Sequence, residues 1–137
     1  MAQTDKSIQC PCGKGTYRAC CSTFHCGGAS APTAELLMRS RYSAYALGLG
    51  DYLMQTWHVS TRPESIDLST EMQNGKWIGL TVKASHELIN TAGDKAEVEF
   101  VARYKPHAGP ASRLHECSRF VKEDGQWFYV DGDLYES

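Results

Sequence analysis

Glu97-Val98-Glu99-Phe100-Val101-Ala102-Arg103-Tyr104 is the stretch that decides the fold class. Successive side chains on a strand point to opposite faces. Val98, Phe100, Ala102 and Tyr104 are therefore expected on one face, with Glu97, Glu99, Val101 and Arg103 on the other. This alternation is the clearest strand signal in the sequence.

Working outward, Leu114 to Lys122 and Gln126 to Asp131 read as a hairpin joined at Asp124-Gly125, a favoured two-residue turn. That turn predicts the pairs Lys122–Trp127, Phe120–Tyr129 and Ser118–Asp131. It places Glu116, Ser118, Phe120, Tyr129 and Asp131 on one face, and His115, Cys117, Arg119, Val121, Phe128 and Val130 on the other. On the N-terminal side, Trp77 to Ile89 reads as a long strand with Ile78, Leu80, Val82 and Ala84 on one face, followed by a turn over Asn90 to Asp94.

Before Lys76 the period is helical. Thr33 is a plausible N-cap with Glu35 in the first turn. Leu37, Met38, Tyr42, Tyr45 and Leu49 recur at helical spacing, and Gly48 fits the left-handed residue that ends a helix. Asp51 is expected to cap a shorter helix carrying Tyr52, Leu53, Met54 and Trp57, and Thr61 to Glu64 to start a further helical turn. Helices first and hairpins after indicate an α+β domain with a curved antiparallel sheet.

Ahead of the helices lies Cys10-Pro-Cys12-Gly13-Lys14-Gly15-Thr16-Tyr17-Arg18-Ala19-Cys20-Cys21. Four thiolates in two pairs, with a seven-residue loop between them, suit a closed tetrahedral zinc site of the structural kind. Gly13 and Gly15 allow the tight turn, Pro11 stiffens the first pair, and Lys14 and Arg18 offset the negative charge of a tetrathiolate. The expectation is one zinc per chain on Cys10, Cys12, Cys20 and Cys21, with iron as the nearest substitute. His25 and Cys26 lie close enough in sequence to compete as ligands.

The chain has 137 residues and a formal charge of −2, which gives no global attraction to nucleic acid or membrane. Up to Leu47 there are five Lys or Arg against two acids, a local +3 too small to establish a nucleic-acid footprint. The N-terminus carries no apolar h-region and no run approaches a membrane span, which points to the cytoplasm and to reduced cysteines. Apolar residues become frequent only after about Ala31. The chain therefore divides into a knuckle and connector over 1–31 and an α+β domain over 32–137, expected to fold without the knuckle.

The cysteine segment resembles the SEC-C motif, named for the zinc-binding tail of the SecA translocation motor. The chain as a whole resembles the bacterial YchJ family, through CPCGKGTYRACC, LMRSRYSAYALGLGDYLMQTWH, WIGLTV, EFVARY and LHECSRFVKEDGQWFYVDG. Lys14 departs from the serine usual in CPCGSG, and Cys117 stands where arginine is common. The resemblance implies a SEC-C knuckle joined to a nuclear transport factor 2-like domain, a cone of curved sheet closed by helices. It also implies an adaptor whose knuckle contacts a protein or ribosomal partner.

No nucleophile–base motif, phosphate loop or dinucleotide fingerprint occurs in the sequence. The alternative function is a small-molecule binder or enzyme that uses the pocket of the cone. Glu116 and Asp131 are its candidate acids, and Trp57-His58 a weaker invitation to catalysis. Against it stands the expectation that both acids pair with Arg39, Arg41, Arg103 or Arg119 and hold helix to sheet. His58 is then a surface cap, and Tyr42, Tyr45 and Trp77 are core.

Overall fold

The computed structural model describes residues 8–27, 29–88 and 94–135. Four helices precede a four-stranded antiparallel sheet in simple meander order. The helices are α1 (Ser22–His25), α2 (Ala34–Leu47), α3 (Gly50–Gln55) and α4 (Ser69–Asn74). The strands are β1 (Gly75–Leu88), β2 (Asp94–Pro106), β3 (Ser112–Glu123) and β4 (Gln126–Tyr135). The α+β class and the helices-then-hairpins order agree with the sequence reading. No helix among the described residues is long and apolar enough to cross a membrane.

Local chemistry sets the ends of α2. The Thr33 hydroxyl accepts from Leu36 N at 3.1 Å, and Gly48 closes the helix at φ +77°. Leu49 follows at once, its N–H returning to Ala44 O at 2.8 Å, and α3 begins at Gly50. Asp51 is thus inside the first turn of α3 and does not cap it; its charge meets the positive end of the helix. Thr61 to Glu64 forms no helix, because the chain there is a turn in which Thr61 N bonds His58 O. The extra helix lies later, at α4. The predicted turn over Asn90 to Asp94 and the end of the first strand at Ile89 fall on residues 89–93, outside the described residues; β2 begins at Asp94.

β2 behaves as its alternation predicts. Ala96, Val98, Phe100 and Ala102 are buried toward the helices, while Glu97 and Arg103 are exposed; Val101, on the outer face, is buried as well. β1 departs from strict alternation at two bulges, one between Trp77 and Gly79, the other between Val82 and Ala84. The inner face is consequently Trp77, Leu80 and Val82, with Ile78 turned out to solvent and Ala84 set opposite outward-facing Glu99. A bulge places two residues against one on the partner, so side chains beyond it change face.

The hairpin turn forms as expected, with Asp124 and Gly125 both left-handed at φ +52° and +80°. Lys122–Trp127 and Phe120–Tyr129 pair as predicted. Beyond them a third bulge makes Val130 the extra residue, and Asp131 pairs with Arg119 rather than Ser118. Asp131 therefore faces outward. Arg119 binds it at 2.6 Å and reaches Asp133 at 2.8 Å. Glu116 stays on the inner face, where its Oε2 accepts from Ser118 Oγ at 2.6 Å and Tyr129 Oη at 3.5 Å. None of the four candidate arginines comes within ion-pair distance of Glu116. The two carboxylates expected to share a site lie on opposite faces.

Candidate metal centre

The segment from Ile8 to Tyr17 is a small hairpin. Gln9 bridges Thr16, Tyr17 N bonds Ile8 O at 2.9 Å, and Cys10 N bonds Gly15 O at 2.7 Å. Its tip needs left-handed backbone at Gly13 (φ +84°), a conformation an L side chain resists. A single 3₁₀ turn, Tyr17–Ala19, then brings Cys20 and Cys21 back under the hairpin, and Cys21 leads into α1.

This path gathers Cys10, Cys12, Cys20 and Cys21, whose sulfurs all lie within 4.8 Å of one another. Cys12 Sγ is 3.6 Å from Cys20 Sγ, which is 3.9 Å from Cys21 Sγ. Tetrahedral zinc with Zn–S bonds of about 2.3 Å separates its sulfurs by about 3.8 Å. The four donors therefore fit such an ion, both in spacing and in chemistry. All four cysteines are free thiols.

The electrostatics also call for a cation. Cys10 is pushed strongly down because the Cys12 and Cys21 thiols hydrogen-bond to its thiolate. Burial pushes Cys20 up to about 11, and the bond it makes to Cys10 pushes Cys21 strongly up. A negative charge is welcome on Cys10, and further ones on Cys20 and Cys21 are resisted by burial and by the neighbouring thiols. A dication among the sulfurs removes that resistance, with release of the remaining protons.

Structure supplies contacts that sequence reasoning missed. Ser43 of α2 donates to Cys21 Sγ at 3.3 Å and lies 3.5 Å from Cys10 Sγ. Arg39, paired with Glu35, donates from Nη1 to Cys12 O at 3.2 Å, so it serves the knuckle rather than the sheet. Cys10, Cys12 and Cys21 share one apolar cluster with Leu37, Met38 and Tyr42. The available signal was the pair Ser40 and Ser43, small polar residues three apart in α2; both are fully buried.

His25 and Cys26 are engaged elsewhere. His25 Nδ1 meets Tyr17 Oη at 2.7 Å and its Nε2 meets Ser40 O at 2.8 Å. Cys26 is exposed, 3.5 Å from Ser22 Oγ. His58 ties the loop after α3 to the hairpin, through Ser60 Oγ at 2.7 Å and Glu123 Oε2 at 2.9 Å.

A family model described as the YchJ middle NTF2-like domain matches residues 33–132. The UPF0225 protein of Chromobacterium violaceum is 56% identical over 124 residues, 90% of each chain. The solution structure of a SEC-C motif containing protein from Rhodopseudomonas palustris matches with a TM-score of 0.79 at 33% identity, covering 94% of this chain and 100% of that one. The crystal structure of a sec-c motif containing protein from Psychrobacter arcticus matches with a TM-score of 0.77 at 28% identity, covering 98% and 86%. With four clustered thiols ahead of a helix-capped sheet, and with matches spanning both parts, the chain belongs to the YchJ family.

Proposed function

We propose that this protein is a zinc-carrying adaptor whose knuckle presents a small rigid surface to a protein or ribosomal partner in the cytoplasm. The observation that carries the reading is the set of four sulfurs within 4.8 Å of one another. Four thiolates leave no open coordination position, so the ion cross-links the chain and performs no chemistry of its own. The tip of the hairpin, Gly13 to Thr16, is exposed together with Arg18 and Ala19. Lys14 and Arg18 give that tip a positive character suited to an acidic partner surface.

Two measurements test the reading separately. Elemental analysis of protein purified without added metal is expected to find about one zinc per chain, lost on Cys12→Ser or Cys20→Ser. A copurification from the native host, comparing the intact chain with Lys14→Glu and Arg18→Glu together, is expected to lose its partner in the variant. Zinc in full with an unchanged set of copurifying proteins would keep the metal and remove the adaptor.

A further inference from the structure

A cavity of about 280 Å³ lies between α2 and the inner face of the sheet, with no cysteine in its lining. Its volume is near the lower end of small-molecule sites, at about 300 Å³. Most of its wall is aromatic or aliphatic, including Tyr45, Trp77 and Tyr129. Three charged groups interrupt that wall: Arg41, Glu71 and Glu116.

Arg41 is only 5% exposed. Its Nη1 donates to Leu53 O at 2.9 Å and to Thr56 Oγ1 at 2.7 Å, and its guanidinium carbon lies 4.6 Å from the centre of the Tyr129 ring. Among the described residues, no carboxylate stands within 4.0 Å of it, and beyond those two bonds its guanidinium meets the phenol of Tyr45. A buried guanidinium with spare donors and no counter-ion calls for an anion. Glu116 spends only Oε2 on protein donors, and Glu71 Oε1 is buried without any partner. Those oxygens call for a donor, best a cation. Opposite charges thus line one small cavity without neutralising each other.

The geometry points to a zwitterion with an apolar body, namely a free α-amino acid of leucine to phenylalanine size, its carboxylate on Arg41 and its ammonium on Glu116 and Glu71. An apolar side chain then occupies the aromatic part of the wall, where a polar one would lose its hydration without replacement. A ligand carrying only one charge leaves the other wall unpaired, which is the basis on which such sites discriminate.

The test is titration calorimetry on the full zinc-loaded chain. The probes are L-phenylalanine with phenethylamine and 3-phenylpropionate, and L-leucine with isoamylamine and 4-methylpentanoate. At least one amino acid is expected to bind about tenfold or more tightly than both of its singly charged analogues. Glu116→Gln is expected to remove most of that advantage while leaving 3-phenylpropionate or 4-methylpentanoate binding in place. No heat from any probe at millimolar concentration would overturn the proposal. So would an amine or acid that binds as well as its amino acid. Neither result bears on the zinc content, so the two readings fail separately.

Discussion

The hydroxyl of Ser43 sits 3.3 Å from the sulfur of Cys21, so the middle of α2 touches the cysteine cluster directly. Hydrogen bonds to coordinating atoms commonly govern metal retention by about 10- to 100-fold. Ser43→Ala is expected to weaken zinc retention by about tenfold in competition with a chromophoric chelator. Unchanged competition would reduce Ser43 to a packing residue.

The shared cluster sets how far the loss of metal is felt. Cys10, Cys12 and Cys21 pack with Leu37, Met38 and Tyr42, so chelation removes support from α2 as well as from the hairpin. Hydrogen exchange is expected to speed up at amides of Leu37 to Ala44 on chelation, with β2 and β3 still protected. Acceleration confined to residues before Ala31 would make the knuckle an appendage, as composition alone suggests.

Gly48 holds φ +77° at the end of α2, whereas Gly50 carries no left-handed strain and a Cβ there would meet Ile66 at an ordinary 3.7 Å. Gly48→Ala is expected to cost about 1–2 kcal/mol in urea unfolding. Gly50→Ala is expected to be neutral or mildly stabilising. Equal effects at the two positions would contradict the cap.

Burial raises the phenols of Tyr42, Tyr45, Tyr52 and Tyr129, that of Tyr42 from 10.0 to about 12. A phenol whose folded value is raised leaves the folded chain holding more protons than the unfolded one. The stability it contributes is complete below pH 10 and is lost as pH climbs from 10 toward 12. Chemical unfolding midpoints are therefore expected to fall above pH 10, in step with the appearance of phenolate absorbance. A flat profile to pH 12 would refute the assignment.

Glu116 and Asp131 are expected to be separable. Asp131 pairs with Arg119 in solvent, and Asp131→Ala is expected to leave stability unchanged within error. Glu116 has no arginine to strand, so Glu116→Ala is expected to stay folded, losing only the bonds from Ser118 and Tyr129. Collapse of either variant, seen as loss of cooperative unfolding, would restore the ion-paired arrangement that the regular hairpin register implies.

Features written in local chemistry were legible in the sequence: the Thr33 cap, the left-handed Gly48, the Asp124-Gly125 turn, the alternation of β2 and the four clustered thiols. Each depends on residues a few positions apart. The bulges were not legible, because they depend on which neighbour packs better against a distant strand. Trp77 and Ile78 are both apolar, and alternation cannot choose between them; the larger ring wins the inner position beside Tyr42 and Tyr104. Asp131 follows Arg119 outward for the same kind of reason, a charge pair in water being cheaper than a lone carboxylate inside. The contacts of Ser43, Arg39 and His25 depend on how the knuckle docks on α2, which sequence spacing does not encode.

The bulge at Val130 makes one position in β4 dispensable in length. Val130 stands outside the β3 ladder, and its carbonyl accepts instead from the hydroxyl of Thr61. A chain lacking this residue would keep Phe120 opposite Tyr129 and Arg119 opposite Asp131, and would give up only the local bend and that one tie to the loop. Deleting a residue between Gln126 and Tyr129 would instead swing the Tyr129 ring out of the cavity wall and leave the Phe120 ring without its partner. Length variation among chains of this kind should therefore collect at the bulge and be purged from the four residues before it.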